Sequence, residues 1–313
     1  MNILVHEAGP QTTVQDLGRR GWLRVGIPPS GPVDREAFLL ANRLVGNADD
    51  AAALECTLIG PRLEFADERW VAVTGAAMPI TLNGAAMPRW AAFEVEPGDV
   101  LRLGPAASGV RAYLAVSGGI DTPPALGSRA TYLRGQLGGH QGRALRKGDV
   151  LPLGAPSGGA PAEVLGQFIP DYTKAPMARV VLGPQDDRFT ERGVAALFEA
   201  PYEMTPQSDR MGARLRGARI EHTRGHDIIS DGVALGGIQV VGDGQPIVLL
   251  ADRQSTGGYT KIGTVCSFDI GRVCQVKPGQ RLSFKRVTVA EAHELLSAHR
   301  AELDHAIHWE ETP

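Results

Sequence analysis

The chain has 313 residues, 43% of them apolar, with 39 Gly, 22 Pro and a formal net charge of −3; this is enough for two ordinary cores built from many short elements. Lys/Arg and Asp/Glu are scattered singly, so no electrostatic footprint for nucleic acid or an anionic membrane is present, and small molecules or proteins are the expected ligands. Three cysteines, Cys56, Cys266 and Cys274, make an odd set without a CxxC, which argues against a disulfide framework or a Cys-type zinc site and reads as plain buried thiols.

Met1–Glu7 has no basic region followed by an apolar stretch, and no later window reaches the roughly 18 apolar residues that a bilayer crossing needs. A cytoplasmic location is the expectation. The segment Gly9–Gly21 then packs Gln15, Asp16 and Arg19 between glycines. Pro28–Asp34 leads into a helix over Asp34–Val45, with Phe38, Ala41 and Val45 on one face and Gly46 as its stop. Ser30 and Asp34 fall at the N-terminus of that helix, where open N–H groups and the macrodipole favour an oxyanion; for Asp34 the alternative is a simple cap. Short strands follow at Trp70–Thr74, Ile80–Leu82 and Ala112–Ser117, with Asn83-Gly84 as a two-residue hairpin turn.

Gly-rich loops next present Ser128, Arg129, His140 and Arg143. The two arginines have the fork geometry to grip a carboxylate or phosphate; surface ion pairs or carbonyl capping are the alternative. Gly154–Pro161, continuing to about Pro176, excludes helix and central strand and marks a boundary between residues 1–165 and 177–313.

Beyond it lie a strand at Arg179–Leu182 and a short helix from Thr190 through Phe198. Gln207–Gly212 groups Ser208, Asp209 and Arg210. Asp227, Asp231 and Asp252 are candidates for acid/base or substrate-orienting work at strand ends, each with a turn Asp as its alternative. His222 and His226 stand four apart, but Gly225 and Ile228-Ile229 argue for loop and strand, not a metal-binding helix. The apolar strand Ile247–Leu250 then runs directly into Ala251–Tyr259, Ala-Asp-Arg-Gln-Ser-Thr-Gly-Gly-Tyr. A buried strand that spills into charged and hydroxyl groups beside a Gly pair marks a site. Finally Thr288–Glu291 forms a capping box for a C-terminal helix carrying Ala292, Leu295, Leu296, His299 and Leu303.

One unit recurs: Pro97–Leu103, Lys147–Leu153 and Pro278–Phe284 each place a Gly turn before an alternating strand, which suggests duplicated β units. The chain has no P-loop, no GxGxxG after a strand and no GxSxG. It also lacks the Ala-Met-Lys-Met sequence that carries covalent biotin.

Taken in order, Gly9–Asp16, Ser30-Gly31 with Asp34, Ala41–Asn47, Thr74–Ala76, Gly118–Ile120, Leu126–Arg129, Leu182–Gln185, Ser208–Gly212 and Asp252–Tyr259 resemble the allophanate hydrolase subunit 2 family, from about residue 4 to residue 285. That family includes the C subunits of bacterial 5-oxoprolinases and relatives of biotin-dependent carboxyltransferase subdomain A. The resemblance implies a mainly β fold of two cyclophilin-like β-barrel domains with a few short helices. It further implies a partner of the subunit 1 type (the B-type protein of 5-oxoprolinases) that shares the active site, a separate LamB/YcsF-like A-type protein, and ATP with Mg as cofactor for opening 5-oxoproline to glutamate.

His226-Asp227-Ile228 and Asp252–Tyr259 depart from the urea carboxylase pattern and favour the 5-oxoprolinase branch. The alternatives are the carboxyltransferase subunit of a biotin-dependent urea or amide carboxylase, and a non-catalytic protein that sequesters its subunit 1-like partner. On this reading Asp252, Arg253, Asp227 and Arg210 are catalytic. Ser30, Asp34, Arg129, His140, Arg143, Ser208, Asp209, Thr256 and Tyr259 bind substrate, and no metal is ligated by the chain. Polar groups from both halves are expected to meet in one cleft, and Asp252→Asn is expected to abolish turnover without unfolding the protein.

Overall fold

The computed structural model describes residues 1–309. It contains two compact units: Met1–Arg20 with Ser30–Asp171 and the stretch from Glu302, and Gly21–Pro29 with Tyr172–Ala301.

In the first unit ten of the short strands pair into two antiparallel sheets, and Ala92–Val95 completes the second. The six-stranded sheet runs Val150–Pro152, Asn2–Glu7, Arg62–Phe65, Val100–Leu103, Ile80–Leu82, Ala85–Met87; the five-stranded one runs Gln11–Gln15, Ala53–Thr57, Arg111–Val116, Arg69–Gly75, Ala92–Val95. Alternate side chains of both sheets, among them Ile3, Val5, Leu63, Leu101 and Leu151 from one and Val14, Leu54, Val73 and Leu114 from the other, share a single buried cluster. Arg111–Val116 is buried along its whole length. The reason is that the helix Arg35–Leu44 packs over it, with Phe38 meeting Tyr113 edge-on at 6.1 Å between ring centroids. Asp34 caps this helix by accepting from the N–H of Ala37 at 3.2 Å.

In the second unit seven strands close a barrel. Its order is Met177–Leu182, Lys261–Val265, Gly237–Val240, Pro246–Leu249, Gly212–Arg216, Tyr202–Met204 and Arg281–Arg286. The last strand returns to the first in parallel register, Met177 opposite Ser283, and closure removes the free sheet edges. Two strands stay outside the barrel and pair only with each other: Asp227–Gly232 and Thr256–Tyr259 form a two-stranded ribbon. The helices expected after Thr190 and Thr288 are present at Glu191–Glu199 and Val289–Asp304. Thr288 and Glu291 form the expected capping box, with the Thr288 N–H 2.7 Å from Glu291 Oε2 and the Glu291 N–H 3.2 Å from Thr288 Oγ1.

The recurring unit is one and the same turn. Gly98, Gly148 and Gly279 have φ of 89°, 89° and 84°, and the residue after each glycine reaches back with its side-chain oxygen. Asp99 Oδ2 accepts from the N–H of Glu96 at 2.8 Å, Asp149 Oδ2 from that of Arg146 at 2.8 Å, and Gln280 Oε1 from that of Lys277 at 3.1 Å. A left-handed glycine is needed because the chain reverses there before entering a strand. Two of the three turns launch strands of the six-stranded sheet; the third launches the strand that closes the barrel. No helix among the described residues is long and apolar enough to cross a membrane.

Candidate active site

The second unit brings two sequence-distant motifs together. Asp252, just past the barrel strand Pro246–Leu249, accepts two hydrogen bonds from the Arg210 guanidinium, from Nε to Oδ2 at 2.9 Å and from Nη2 to Oδ1 at 3.2 Å. Both residues are 5% exposed. The backbone joins them as well, the Asp252 N–H donating to the Arg210 carbonyl at 2.9 Å. Such a planar double contact fixes orientation as well as charge.

Ser208 and Asp209 serve this arrangement from the turn that carries Arg210. Asp209 Oδ1 accepts from the N–H groups of Met211 and Gly212 at 2.8 and 3.2 Å, and Ser208 Oγ accepts from the N–H of Arg214 at 2.9 Å. Their sequence assignment was substrate binding; in the structure they shape the turn.

Arg253 differs from Arg210. It is 6% exposed, and its guanidinium makes one hydrogen bond among the described residues, from Nε to the Val233 carbonyl at 3.1 Å. Burial pulls it below the usual guanidinium range. A guanidinium held this way, with its terminal amino groups uncommitted, suits an anionic oxygen that arrives with a ligand.

The rest of the motif enters the ribbon. Thr256 is exposed opposite Gly232, and Tyr259 lies opposite Asp227. Tyr259 stacks on His226 at 5.9 Å between centroids; His226 contacts His222 at 6.2 Å, and His222 contacts Phe189 at 4.7 Å. His222 Nε2 hydrogen-bonds Thr260 Oγ1 at 3.1 Å, and burial pulls its ring below the usual histidine value, which leaves it neutral at neutral pH. Asp227 is an exposed carboxylate 3.3 Å from His226 Nε2.

Two buried polar side chains that sequence reading passed over lie next to the motif. Lys261 and Gln239 are 3% and 2% exposed and face each other across neighbouring barrel strands. The sequence held only a faint signal, a glutamine between Ile238 and Val240 and a lysine directly before Ile262.

The first unit holds the other expected binding residues, and most are engaged by the protein itself. Arg129 places Nη2 2.5 Å from Asp121 Oδ1, while its backbone N–H donates to Asp16 Oδ2. Arg143 donates to both oxygens of Asp149 at 2.7 and 2.8 Å, with His140 Nε2 3.5 Å from the same carboxylate. This holds the Asp149 carboxyl down at about 2. The ion-pair alternative describes these arginines, and Asp34 is the helix cap. Ser30 is different: it is buried, sits at φ 57°, and its Oγ has no hydrogen-bond partner among the described residues. Gly31 follows it, donating its N–H to Gln15 Oε1 at 3.1 Å.

Residues 25–286 match the carboxyltransferase domain, subdomains A and B. The chain belongs to that family. Among relatives, the 5-oxoprolinase C subunit of Escherichia coli K12 is 37% identical over 285 residues, covering 91% of each chain. The 5-oxoprolinase C subunit of Haemophilus influenzae is 34% identical over 297 residues, covering 94% of each. In structure, the carboxyltransferase fold of this chain superposes on the crystal structure of the K. lactis urea amidolyase with a TM-score of 0.92 at 34% identity. That match covers 99% of this chain and 20% of that one, so the chain spans about a fifth of the larger protein.

Proposed function

We propose that the chain is the C subunit of an ATP-dependent 5-oxoprolinase, working with B-type and A-type partner proteins. The length match favours this reading: the bacterial 5-oxoprolinase subunits pair with the chain over nine-tenths of both partners, whereas the urea amidolyase match takes in a fifth of that protein.

The observation that carries the chemical part is Arg253, a buried guanidinium with one backbone partner. A five-membered lactam carries a resonance-stabilised amide and needs activation to open. On this reading the amide oxygen attacks the terminal phosphorus of ATP and ADP departs. Water then adds to the activated carbon, C–N cleavage frees the amino group and leaves an acyl phosphate, and a second water cleaves that acyl phosphate to the free carboxylate and inorganic phosphate. Arg253 steadies negative charge that develops on oxygen during these steps. Arg210 and Asp252 hold the neighbouring backbone in place for it.

The second reading is carboxyl transfer from carboxybiotin held on another chain to an amide-like acceptor. The family match and the urea amidolyase superposition favour it, and Arg253 would there hold the carboxylate in transit. Co-expression with the B-type and A-type proteins, followed by measurement of glutamate formed from 5-oxo-L-proline with and without ATP, separates the readings. Glutamate that requires ATP and all partners supports the first. Carboxylated product with a biotin carboxylase system, and no glutamate, supports the second. A tight pair with neither product points to the sequestering role.

A further inference from the structure

Gln239 and Lys261 are opposite one another on adjacent barrel strands, just after a register shift between Ile238 and Gln239. Side chains directly opposite on antiparallel strands project to the same face. The Gln239 Nε2 is buried and makes no hydrogen bond among the described residues. The Lys261 ammonium is buried too and reaches one acceptor, Asp231 Oδ2, at 3.4 Å. An ammonium has three donors, so that single long contact leaves most of its capacity open. Leaving such donors unmade in a protein interior is costly.

The surroundings are built around this pair. Gln185 pins the Lys261 backbone from both sides, its Oε1 accepting the Lys261 N–H at 3.0 Å and its own N–H donating to the Lys261 carbonyl at 3.1 Å. Asp231 comes from the ribbon, and its side chain is 58% exposed. Its ribbon partner is Gly257, where any side chain would collide with the Gln239 amide and press on Val233 Cγ1. Val233 is also the residue whose carbonyl holds Arg253. Glycine at 257 therefore lets the Gln239 amide lie directly under the ribbon backbone, next to Val233. Lys261 and Arg253 carry two positive charges, and Asp231 is the one carboxylate that either of them touches among the described residues.

We infer that Gln239 and Lys261 form a binding site under the ribbon for a small carboxylate with a neighbouring carbonyl or amide oxygen. The ammonium takes the carboxylate, the Gln239 amide takes the second oxygen, and Asp231 is a counter-ion that the ligand displaces. Nothing in this site depends on the reaction proposed above; the choice of 5-oxo-L-proline as first probe does.

The test is calorimetric titration of the full chain with 5-oxo-L-proline, its uncharged analogue 2-pyrrolidone, and acetate, L-lactate and succinate, with thermal unfolding recorded for each variant. A member of the carboxylate set should bind, and 2-pyrrolidone should bind at least about tenfold more weakly than 5-oxo-L-proline if the latter is the ligand. Lys261→Met and Gln239→Leu should each weaken carboxylate binding about tenfold at unchanged unfolding temperature. Asp231→Asn should strengthen it several-fold, because it removes the competing carboxylate; a lysine with a purely structural partner gives no such gain. Absence of binding by every carboxylate at millimolar concentration, or equal affinities in wild type, Gln239→Leu and Asp231→Asn, overturns the site. Carboxylate binding without glutamate formation in the assembled complex retains the site and removes the 5-oxoprolinase reading. Glutamate formation unaffected by Gln239→Leu does the reverse.

Discussion

Arg210 and Asp252 are buried together and bonded through two hydrogen bonds, so neutralising Asp252 removes the carboxylate charge that both bonds converge on. Breaking such a pair costs about 3–5 kcal/mol. Asp252→Asn is therefore expected to lower the midpoint of urea unfolding markedly, and a loss of activity in that variant reports positioning together with stability. An unchanged midpoint would free Asp252 for a direct chemical role. Asp149 gives a pH signature of its own. Its folded carboxyl titrates at about 2 because Arg143 holds it, against about 4 in an unfolded chain. The stabilisation is therefore present above pH about 4 and is lost as pH falls from there through about 2. Thermal unfolding of Asp149→Asn, followed from pH 5 to 2, should show a flatter acid limb than wild type; parallel curves would show that the pair contributes nothing.

The three copies of the Gly turn show how a short element is encoded. The glycine supplies the left-handed backbone, and the next side chain satisfies an N–H three residues back. Open space surrounds a would-be Cβ at Gly279, so Gly279→Ala should cost only the left-handed strain, about 1–2 kcal/mol; a denaturant titration measures it, and a larger loss would mean the barrel-closing strand itself had shifted. Gly257 on the ribbon is the contrasting case. Its would-be Cβ meets the flexible end of Gln239, so Gly257→Ala should leave unfolding nearly unchanged while displacing the amide. Comparing thermal unfolding with carboxylate binding in this variant tests the distinction; destabilisation above about 2 kcal/mol would contradict it. Elements like these were legible in sequence wherever a cap or turn residue fixes the backbone, as with Thr190, Thr288 and Gly98. The division of strands between sheets was not. Register depends on partners far along the chain, and nothing local to Val150–Pro152 says that it pairs beside Asn2–Glu7.

Across the whole molecule, the mainly β class and the family were readable because ordered motifs span most of the chain. The site was readable in part. Sequence reading grouped Asp252, Arg253, Asp227 and Arg210 as catalytic; the structure joins Arg210 and Asp252 by direct contact and leaves Asp227 exposed on the ribbon beside His226. It also assigned Ser208, Asp209, Arg129, His140 and Arg143 to ligands, where the structure shows turn capping and internal ion pairs. The reason is physical: an Arg or Asp on a Gly-rich loop looks the same in sequence whether its partner is a ligand or a neighbouring carboxylate. Lys261 and Gln239 went unseen for the converse reason, since burial comes from strand pairing and not from composition. The rate of ATP-dependent glutamate release by the assembled complex, compared between wild type and Arg253→Met, bears most directly on the proposed chemistry. Release is expected in wild type, with a kcat at least about 100-fold lower in the variant and the fold intact; equal rates would show that Arg253 does not serve the reaction.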